Sequence, residues 1–271
     1  MSIIFTCTTF FDYHKSKWNV FQKALDSLNE KHSKDTLTKI TKWIIVNEYS
    51  NIHKCNWKSL VLEKYPFVEF IQKNENQKGQ AKSMNIILDL IKPFKYWIHW
   101  EEAWYSNEAF LDDAITIMQN NDNISQLQFT KLRGQVNWFD VSDERLDCSN
   151  SNFCYVVSDK NIDLNINIHS NDIFLNWPLY SLLPSINRVD FYNFGYFSED
   201  PKIWPIRFEY DFAKRWLISG GIKAVLKNGP VHRDENNHKS TYKNNDMSTN
   251  IIIFTMLIIF ILVLVLIFIF Q

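Results

Sequence analysis

The chain has 271 residues, of which 46% are hydrophobic and 15% aromatic, and its formal net charge is −1. This amount of apolar material is enough for a substantial core, so the composition excludes an intrinsically disordered chain. The near-zero net charge argues against a nucleic-acid partner, because a phosphate backbone requires a strongly basic face.

The four cysteines are Cys7, Cys55, Cys148 and Cys154, and they form no CxxC pair and no regular spacing. This pattern excludes a CxxC zinc site and a disulfide framework, and it is typical of a reducing compartment. One alternative stays open, since Cys148 and Cys154 could pair if the domain faced an oxidising lumen.

The first half of the chain alternates between strand-like and helix-like patterns. Short β-branched and aromatic runs predict strands at Ile3–Thr9, Trp43–Asn47, Val68–Gln72 and Tyr96–Trp100. Apolar residues at three- and four-residue spacings predict helices at Trp18–Leu28, Trp57–Tyr65, Ala81–Ile91 and Asn107–Met118. This alternation predicts an α/β fold, a mostly parallel sheet with helices on both faces.

Polar residues end two of the predicted strands. Asn47 and Glu48 follow the second strand, and Glu101 and Glu102 follow the fourth. Parallel sheets bind ligands outside the carboxyl ends of their strands, so we expect these residues at one rim. Adjacent carboxylates suit Mg²⁺ or Mn²⁺ that also holds a diphosphate. The alternative is a solvated turn or helix start, where Glu complements the helix dipole.

The second half of the chain is less regular. We expect strands at Phe153–Val157, Ile162–Ile168 and Ile222–Leu226. A helix from Phe208 to about Trp216 should end near Gly220 and Gly221, a usual helix stop.

The C-terminal segment Ile251–Phe270 is apolar throughout except for Thr255. At about 1.5 Å per residue a helix of this length spans roughly 30 Å, the thickness of a hydrocarbon core, and it has no polar face. We therefore predict a single-pass membrane helix at 251–270, with a buried helix of a large domain as the alternative. Residues 234–250 would form a polar tether.

Basic residues flank the predicted membrane helix on its N-terminal side, at Arg233, Lys239 and Lys243. The positive-inside rule therefore predicts that the large domain lies in the cytosol.

Four motifs in order resemble those of GT-A fold glycosyltransferases, closest to the family 2-like enzymes. They are Gly79, Ala81 and Asn85 in KGQAKSMN, Glu101–Trp104 (EEAW), Phe208–Trp216 (FEYDFAKRW) and His232–Tyr242 (HRDENNHKSTY). The resemblance covers most of residues 1–242 and implies a GT-A-like domain at 1–233. It also implies sugar transfer from a nucleotide-sugar donor to an acceptor hydroxyl on a glycan, protein or lipid.

The resemblance implies a donor site and a metal site. Glu48 would contact the uracil or ribose and Lys78 a phosphate, while Asn85, Glu101 and Trp104 would complete the donor site. Glu102 and His232 would hold Mn²⁺ or Mg²⁺.

It also implies that Glu209 or Asp211 deprotonates the acceptor. From its spacing alone, Arg215 is predicted to be the i,i+4 ion-pair partner of Asp211.

Two positions depart from the family pattern. Ala103 stands where the last acidic residue is usual, and Arg233 follows His232 where Gly is usual. The first hypothesis is therefore a membrane-tethered glycosyltransferase, and the second is an inactive GT-A-like binding or scaffolding domain at a membrane. A nucleotide-binding α/β protein of other chemistry is a third. The Asn-, Ile- and Lys-rich composition suggests an AT-rich genome, such as that of a large DNA virus.

Overall fold

The computed structural model describes residues 1–11, 15–50, 56–130, 146–147, 154–157, 178–200 and 207–234, which belong to one compact unit. Within these residues, no helix is both long enough and apolar enough to cross a bilayer. The predicted membrane helix 251–270, nearly all of the predicted tether 234–250 and the predicted strand 162–168 lie outside them.

Eleven strands and six helices form within the described residues. The strands are β1 (Ile3–Thr9), β2 (Lys42–Asn47), β3 (Val68–Gln72), β4 (Tyr96–Glu101), β5 (Trp104–Ser106), β6 (Gln126–Gln128), β7 (Leu146–Asp147), β8 (Tyr155–Val157), β9 (Ser185–Arg188), β10 (Lys223–Leu226) and β11 (Val231–Arg233). The helices are α1 (Lys15–Lys31), α2 (Lys34–Thr38), α3 (Trp57–Lys64), α4 (Gln80–Ile91), α5 (Leu111–Asn120) and α6 (Arg207–Ile218).

The central sheet has the strand order β3-β2-β1-β4-β9-β6-β10-β8-β7, and β5 pairs with β11 in a separate two-stranded sheet. Strands β1 to β4 are mutually parallel, and β9 lies antiparallel between β4 and β6. The chain therefore builds outward from β1 to β3 and then returns to add β4 on the other side of β1. This reversal opens a crevice at the carboxyl ends of β1 and β4, the position where open α/β sheets bind ligands.

Apolar side chains cover both faces of the sheet. Phe5, Ile45 and Ile98 pack on the face that carries α1, α3 and α5. Ile44 and Trp97 pack on the opposite face, with apolar residues of α4 and α6. The predicted α/β architecture with helices on both faces is confirmed.

The predicted strands and helices of the first half form nearly where they were expected. The prediction for α5 was wrong at its start, because the helix begins at Leu111 rather than Asn107. The residues directly before Asn107 form β5, and the Asn107 amide donates to the Pro230 carbonyl at 2.9 Å. Pairing with a distant segment thus takes precedence over local helical periodicity.

Two cysteines lie in the described part of the chain. Cys7 is a free thiol buried in β1, and burial, with the charges of Glu102 and Glu101, raises its pKa. Cys154 is disulfide-bonded, which differs from the expectation of a chain without disulfides. A disulfide is typical of an oxidising compartment.

Asn47, at the carboxyl end of β2, ties three strands together. Its buried Oδ1 accepts hydrogen bonds from the Thr9 hydroxyl and the Phe11 amide, each at 3.0 Å. Its Nδ2 donates to Gln72 Oε1 at 2.8 Å. The ends of β1, β2 and β3 are thereby fixed beside the crevice.

We expect Asn47→Ala to lower the free energy of unfolding by about 2–4 kcal/mol, because it leaves a buried hydroxyl and a buried amide without their acceptor. The control is Lys42→Ala, which removes a solvent-exposed ion pair with Glu69 between β2 and β3. That change should cost less than about 1 kcal/mol. Urea unfolding of the full chain measures both, and equal losses would contradict the role of Asn47.

Candidate active site at the carboxyl ends of the strands

The acidic turn, Glu101 to Ala103, joins β4 to β5 beside the crevice. The Glu102 amide donates to the Thr8 carbonyl of β1 at 3.2 Å, and the Asp234 amide donates to the Ala103 carbonyl at 2.8 Å. These two bonds fix the turn between the end of β1 and the end of β11.

The two carboxylates of the turn reach different neighbours. Glu101 Oε2 accepts a hydrogen bond from the Trp104 indole at 3.2 Å. Burial, together with the charge of Glu102, raises the pKa of Glu101 to about 7. Glu102 Oε1 lies 4.0 Å from Lys17 Nζ on α1. Burial raises the pKa of Glu102, and the charge of Lys17 opposes that rise.

The β5–β11 pair brings two predicted segments together. Trp104 lies opposite Arg233, and Tyr105 lies opposite His232. The Arg233 guanidinium is 6.0 Å from the centre of the Trp104 ring, and the His232 ring is 6.3 Å from that of Tyr105. Because side chains alternate along a strand, Arg233 and His232 leave opposite faces of this small sheet.

Glu48 is the centre of a network that sequence reasoning missed. Its carboxylate accepts from Lys73 Nζ at 2.8 Å, from the Gly79 amide at 3.2 Å and from the Tyr49 amide at 2.9 Å. The Lys73 side chain is fully buried and also donates to the Gly79 carbonyl and to Ser83 Oγ. Burial lowers the pKa of Lys73, and Glu48 opposes that shift.

Gly79 has φ of +115°, a left-handed conformation that favours glycine, and α4 begins directly after it. The Glu48–Lys73 network therefore shapes the entrance to α4. The predicted phosphate contact Lys78 lies one residue earlier, exposed at the rim.

Asn85, on α4, binds a neighbouring segment of the chain. Its Oδ1 accepts from the Phe197 amide at 2.8 Å, and its Nδ2 donates to the Phe197 carbonyl and to Glu199. These contacts hold residues 197–199 against α4.

Glu209 lies in the first turn of α6. Its Oε1 accepts a hydrogen bond from the Leu182 amide at 2.8 Å. Burial raises the pKa of Glu209 to about 7, while the Leu182 amide and Lys223 act in the opposite direction. The charge of Glu209 in turn contributes to the raised pKa of Glu101, so Glu209 lies within electrostatic reach of Glu101.

Asp211 has a different environment. It forms the predicted i,i+4 ion pair with Arg215, at 2.9 Å, which is confirmed. Arg215 also donates to the carbonyls of Phe194 and Tyr196. Asp211 therefore helps to hold a loop, and these contacts favour Glu209 as the acid that is available for chemistry.

A buried polar layer adjoins Glu209, and no pattern in the sequence predicted it. Gln126 Nε2 donates to the Ser181 carbonyl and to Asn187 Oδ1, each at 2.9 Å. Lys223 Nζ donates to the Leu179 carbonyl at 2.8 Å and to Ser181 Oγ at 3.0 Å. Burial lowers the pKa of Lys223 to about 7. The layer fixes residues 179–182 and, through the Leu182 amide, the orientation of Glu209.

The acidic turn does not fit the divalent ion predicted from the sequence. Hard cations require several oxygen ligands that converge on one point. In the described part of the chain, no group of three His, Cys, Asp or Glu side chains is placed to hold an ion. Glu102 instead faces Lys17, and Ala103 supplies no ligand. We therefore assign no step to Mn²⁺ or Mg²⁺, and the titrations with Mn²⁺ and with EDTA described below test whether UDP binding requires an ion.

No protein-family model matches the chain, and no curated protein matches its sequence. Solved structures do match. S. aureus TarS residues 1–349 in complex with UDP is 19% identical with a TM-score of 0.53, and the match covers 84% of this chain and 58% of that one. The complex of the same protein with UDP-GlcNAc is 18% identical with a TM-score of 0.52, covering 84% and 56%.

GalNAc-T7 with UDP, GalNAc and Mn²⁺ is 10% identical with a TM-score of 0.54, and the match covers 86% of this chain and 44% of that one. The chain thus spans about half the length of these solved structures. Identities this low establish the fold alone. The described part of the chain has the GT-A fold of these glycosyltransferases.

Proposed function

We propose that this chain is a glycosyltransferase, transferring a sugar from a nucleotide-sugar donor to an acceptor hydroxyl. The observation that carries the proposal is the placement of Glu101 and Glu209. Both carboxyls are partly buried, Glu101 ends β4 beside the β1/β4 reversal of a GT-A fold, and the charge of Glu209 contributes to the raised pKa of Glu101. Perturbed carboxyls in a cleft are typical of catalytic sites.

The class of donor is proposed from the ligands of the similar solved structures. UDP and UDP-GlcNAc are bound in the TarS structures, so a uridine diphosphate sugar is the first candidate here. In this proposal Glu101, Trp104 and the exposed Lys78 meet the donor directly. Glu48 and Asn85 contribute to donor binding largely by shaping the Gly79 loop and the segment at residues 197–199.

The chemistry assigned to Glu209 is general-base catalysis. The acceptor oxygen forms a bond to the anomeric carbon while the bond from that carbon to the diphosphate breaks, and the hydroxyl proton passes to Glu209. A carboxyl whose pKa is raised to about 7 is suited to this task, because it is ionised near neutral pH yet basic enough to accept a proton.

The membrane attachment is also part of the proposal. Residues 251–270 would anchor the domain, and the charge pattern favours the cytosolic side. The disulfide at Cys154 favours an oxidising side instead. The acceptor would be a glycan, protein or lipid near that membrane, and the near-zero charge argues against a nucleic-acid partner.

The second candidate function is an inactive GT-A-like binding or scaffolding domain. Ala103 at the third position of the acidic turn favours it. Glu209 favours catalysis, because a buried carboxyl costs stability that a scaffold does not require.

The first test measures UDP binding to the full chain by isothermal titration calorimetry, with Mn²⁺ and separately with EDTA. We expect binding in at least one condition. The absence of UDP binding in both conditions would contradict the proposed donor site.

The second test measures UDP release from UDP-GlcNAc, with water as acceptor, in two matched α6 variants. We expect Glu209→Gln to lower the rate by about 10²–10⁴-fold, the usual contribution of a general base. Asp211→Asn should mainly lower stability, because Asp211 is engaged by Arg215. The reverse ranking of the two rates would assign the base to Asp211.

The pH dependence provides a third test. Since only the ionised form of Glu209 can accept the proton, the rate should rise with pH and level off above its pKa of about 7. The rising limb should disappear from the residual rate of Glu209→Gln. A limb that persists unchanged in that variant would exclude Glu209 as its origin.

A further inference from the structure

We infer that two side chains of the protein, Lys17 and Arg233, bind the diphosphate of the donor in place of a divalent ion. The inference rests on the proposed function, because it names the groups that contact the donor in the same crevice. It depends on the placement of these two cations beside the acidic turn.

Lys17 is a buried ammonium without a hydrogen-bond partner. It lies in the first turns of α1, at the carboxyl end of β1, and its side chain is 8% exposed. Within the described part of the chain its Nζ makes no hydrogen bond, and Glu102 Oε1 lies 4.0 Å away. An ammonium has three N–H donors, and burying it without acceptors is unfavourable. A phosphate oxygen in the crevice would provide the missing acceptor.

Glu102 does not use the full donor capacity of Lys17. At 4.0 Å, Glu102 Oε1 lies beyond hydrogen-bond distance from Lys17 Nζ. Lys17 is therefore close enough to offset the charge of Glu102 while its own N–H groups have no acceptor among the described residues.

Arg233 lies at the end of β11, opposite Trp104. It is exposed, and its guanidinium lies over the Trp104 ring at 6.0 Å. Burial raises the pKa of Glu101 and of Glu102, and the charge of Arg233 opposes both shifts, so Arg233 lies within electrostatic reach of both carboxyls. No hydrogen bond from its guanidinium to a described residue is present. A guanidinium can donate two parallel hydrogen bonds to a phosphate.

The backbone holds Arg233 in this position. Asp234, the next residue, donates its amide to Ala103 and forms an ion pair with Lys23 of α1 at 3.1 Å. Arg233 is thus fixed to the turn and to the helix that carries Lys17. The turn, two nearby cations and Ala103 together form a diphosphate site rather than a metal site.

The test is a calorimetric titration of the full chain with UDP and with uridine, in EDTA and in Mn²⁺. Uridine lacks the diphosphate, so it reports on base and ribose contacts alone. We expect the UDP affinity in EDTA to match that in Mn²⁺ within about twofold. Lys17→Met and Arg233→Met should each weaken UDP binding by roughly tenfold or more, the loss expected for a charge-assisted hydrogen bond.

Two variants serve as controls. Arg233→Lys keeps the positive charge and should retain most of the UDP affinity lost in Arg233→Met. Lys92→Met removes an exposed lysine that pairs with Asp89 at the far end of α4, and should change neither affinity. Because Arg233 is exposed, its variants test the inference even if Lys17→Met unfolds the domain.

The outcomes separate the inference from the proposed function. UDP binding that requires Mn²⁺ would overturn the inference and leave the glycosyltransferase proposal standing. Equal loss of UDP and uridine binding in Lys17→Met and Arg233→Met would show that both residues have a structural role. That result would also overturn the inference. No binding of UDP in either condition would contradict the proposed function itself.

Discussion

The arrangement of the site depends on two backbone hydrogen bonds to the acidic turn, from Glu102 to Thr8 and from Asp234 to Ala103. The first joins the turn to β1, the strand around which the sheet reverses. The second joins it to the segment after β11, more than a hundred residues later in the chain. Without the first, the carboxylates would not lie at the crevice. Without the second, Arg233 would not approach them.

Burial at this rim places lysines next to acidic side chains. Each of three predicted acids has a buried lysine beside it. Glu48 pairs with Lys73, Glu102 lies near Lys17, and Glu209 interacts with Lys223. Charges removed from water require nearby opposite charges or hydrogen bonds, so the fold can bury a carboxylate only with such a partner. The three pairs differ in how fully the lysine is used. Lys73 and Lys223 each donate to a carbonyl and a hydroxyl, whereas Lys17 donates to none.

The first half of the fold could be predicted from the sequence because its strands are buried and apolar and its helices are amphipathic. The strands that complete the sheet could not. Gln126–Gln128 and Ser185–Arg188 are short and largely polar, and they become strands because a buried polar layer pairs their side chains. Glu48, Glu102 and Glu209 could be proposed from strand ends and motif order, but their lysine partners could not. Lys17, Lys73 and Lys223 are distant in sequence from those acids, and burial alone distinguishes them from the many surface lysines.

This difference among the lysines bears on whether the domain is a catalyst or a scaffold. A buried ion pair with satisfied hydrogen bonds can stabilise one conformation of a fold, and Lys73 and Lys223 are consistent with that role. Lys17 is not, because an ammonium with no acceptor destabilises the folded chain and an apolar side chain of similar volume would pack there more favourably. A scaffold has no use for such a residue. A domain that binds a phosphorylated ligand does, since the ligand removes the destabilisation on binding and the gain contributes directly to affinity. The ammonium of Lys17, which has no hydrogen-bond acceptor among the described residues, therefore favours a domain that binds a phosphorylated ligand over a scaffold that binds none.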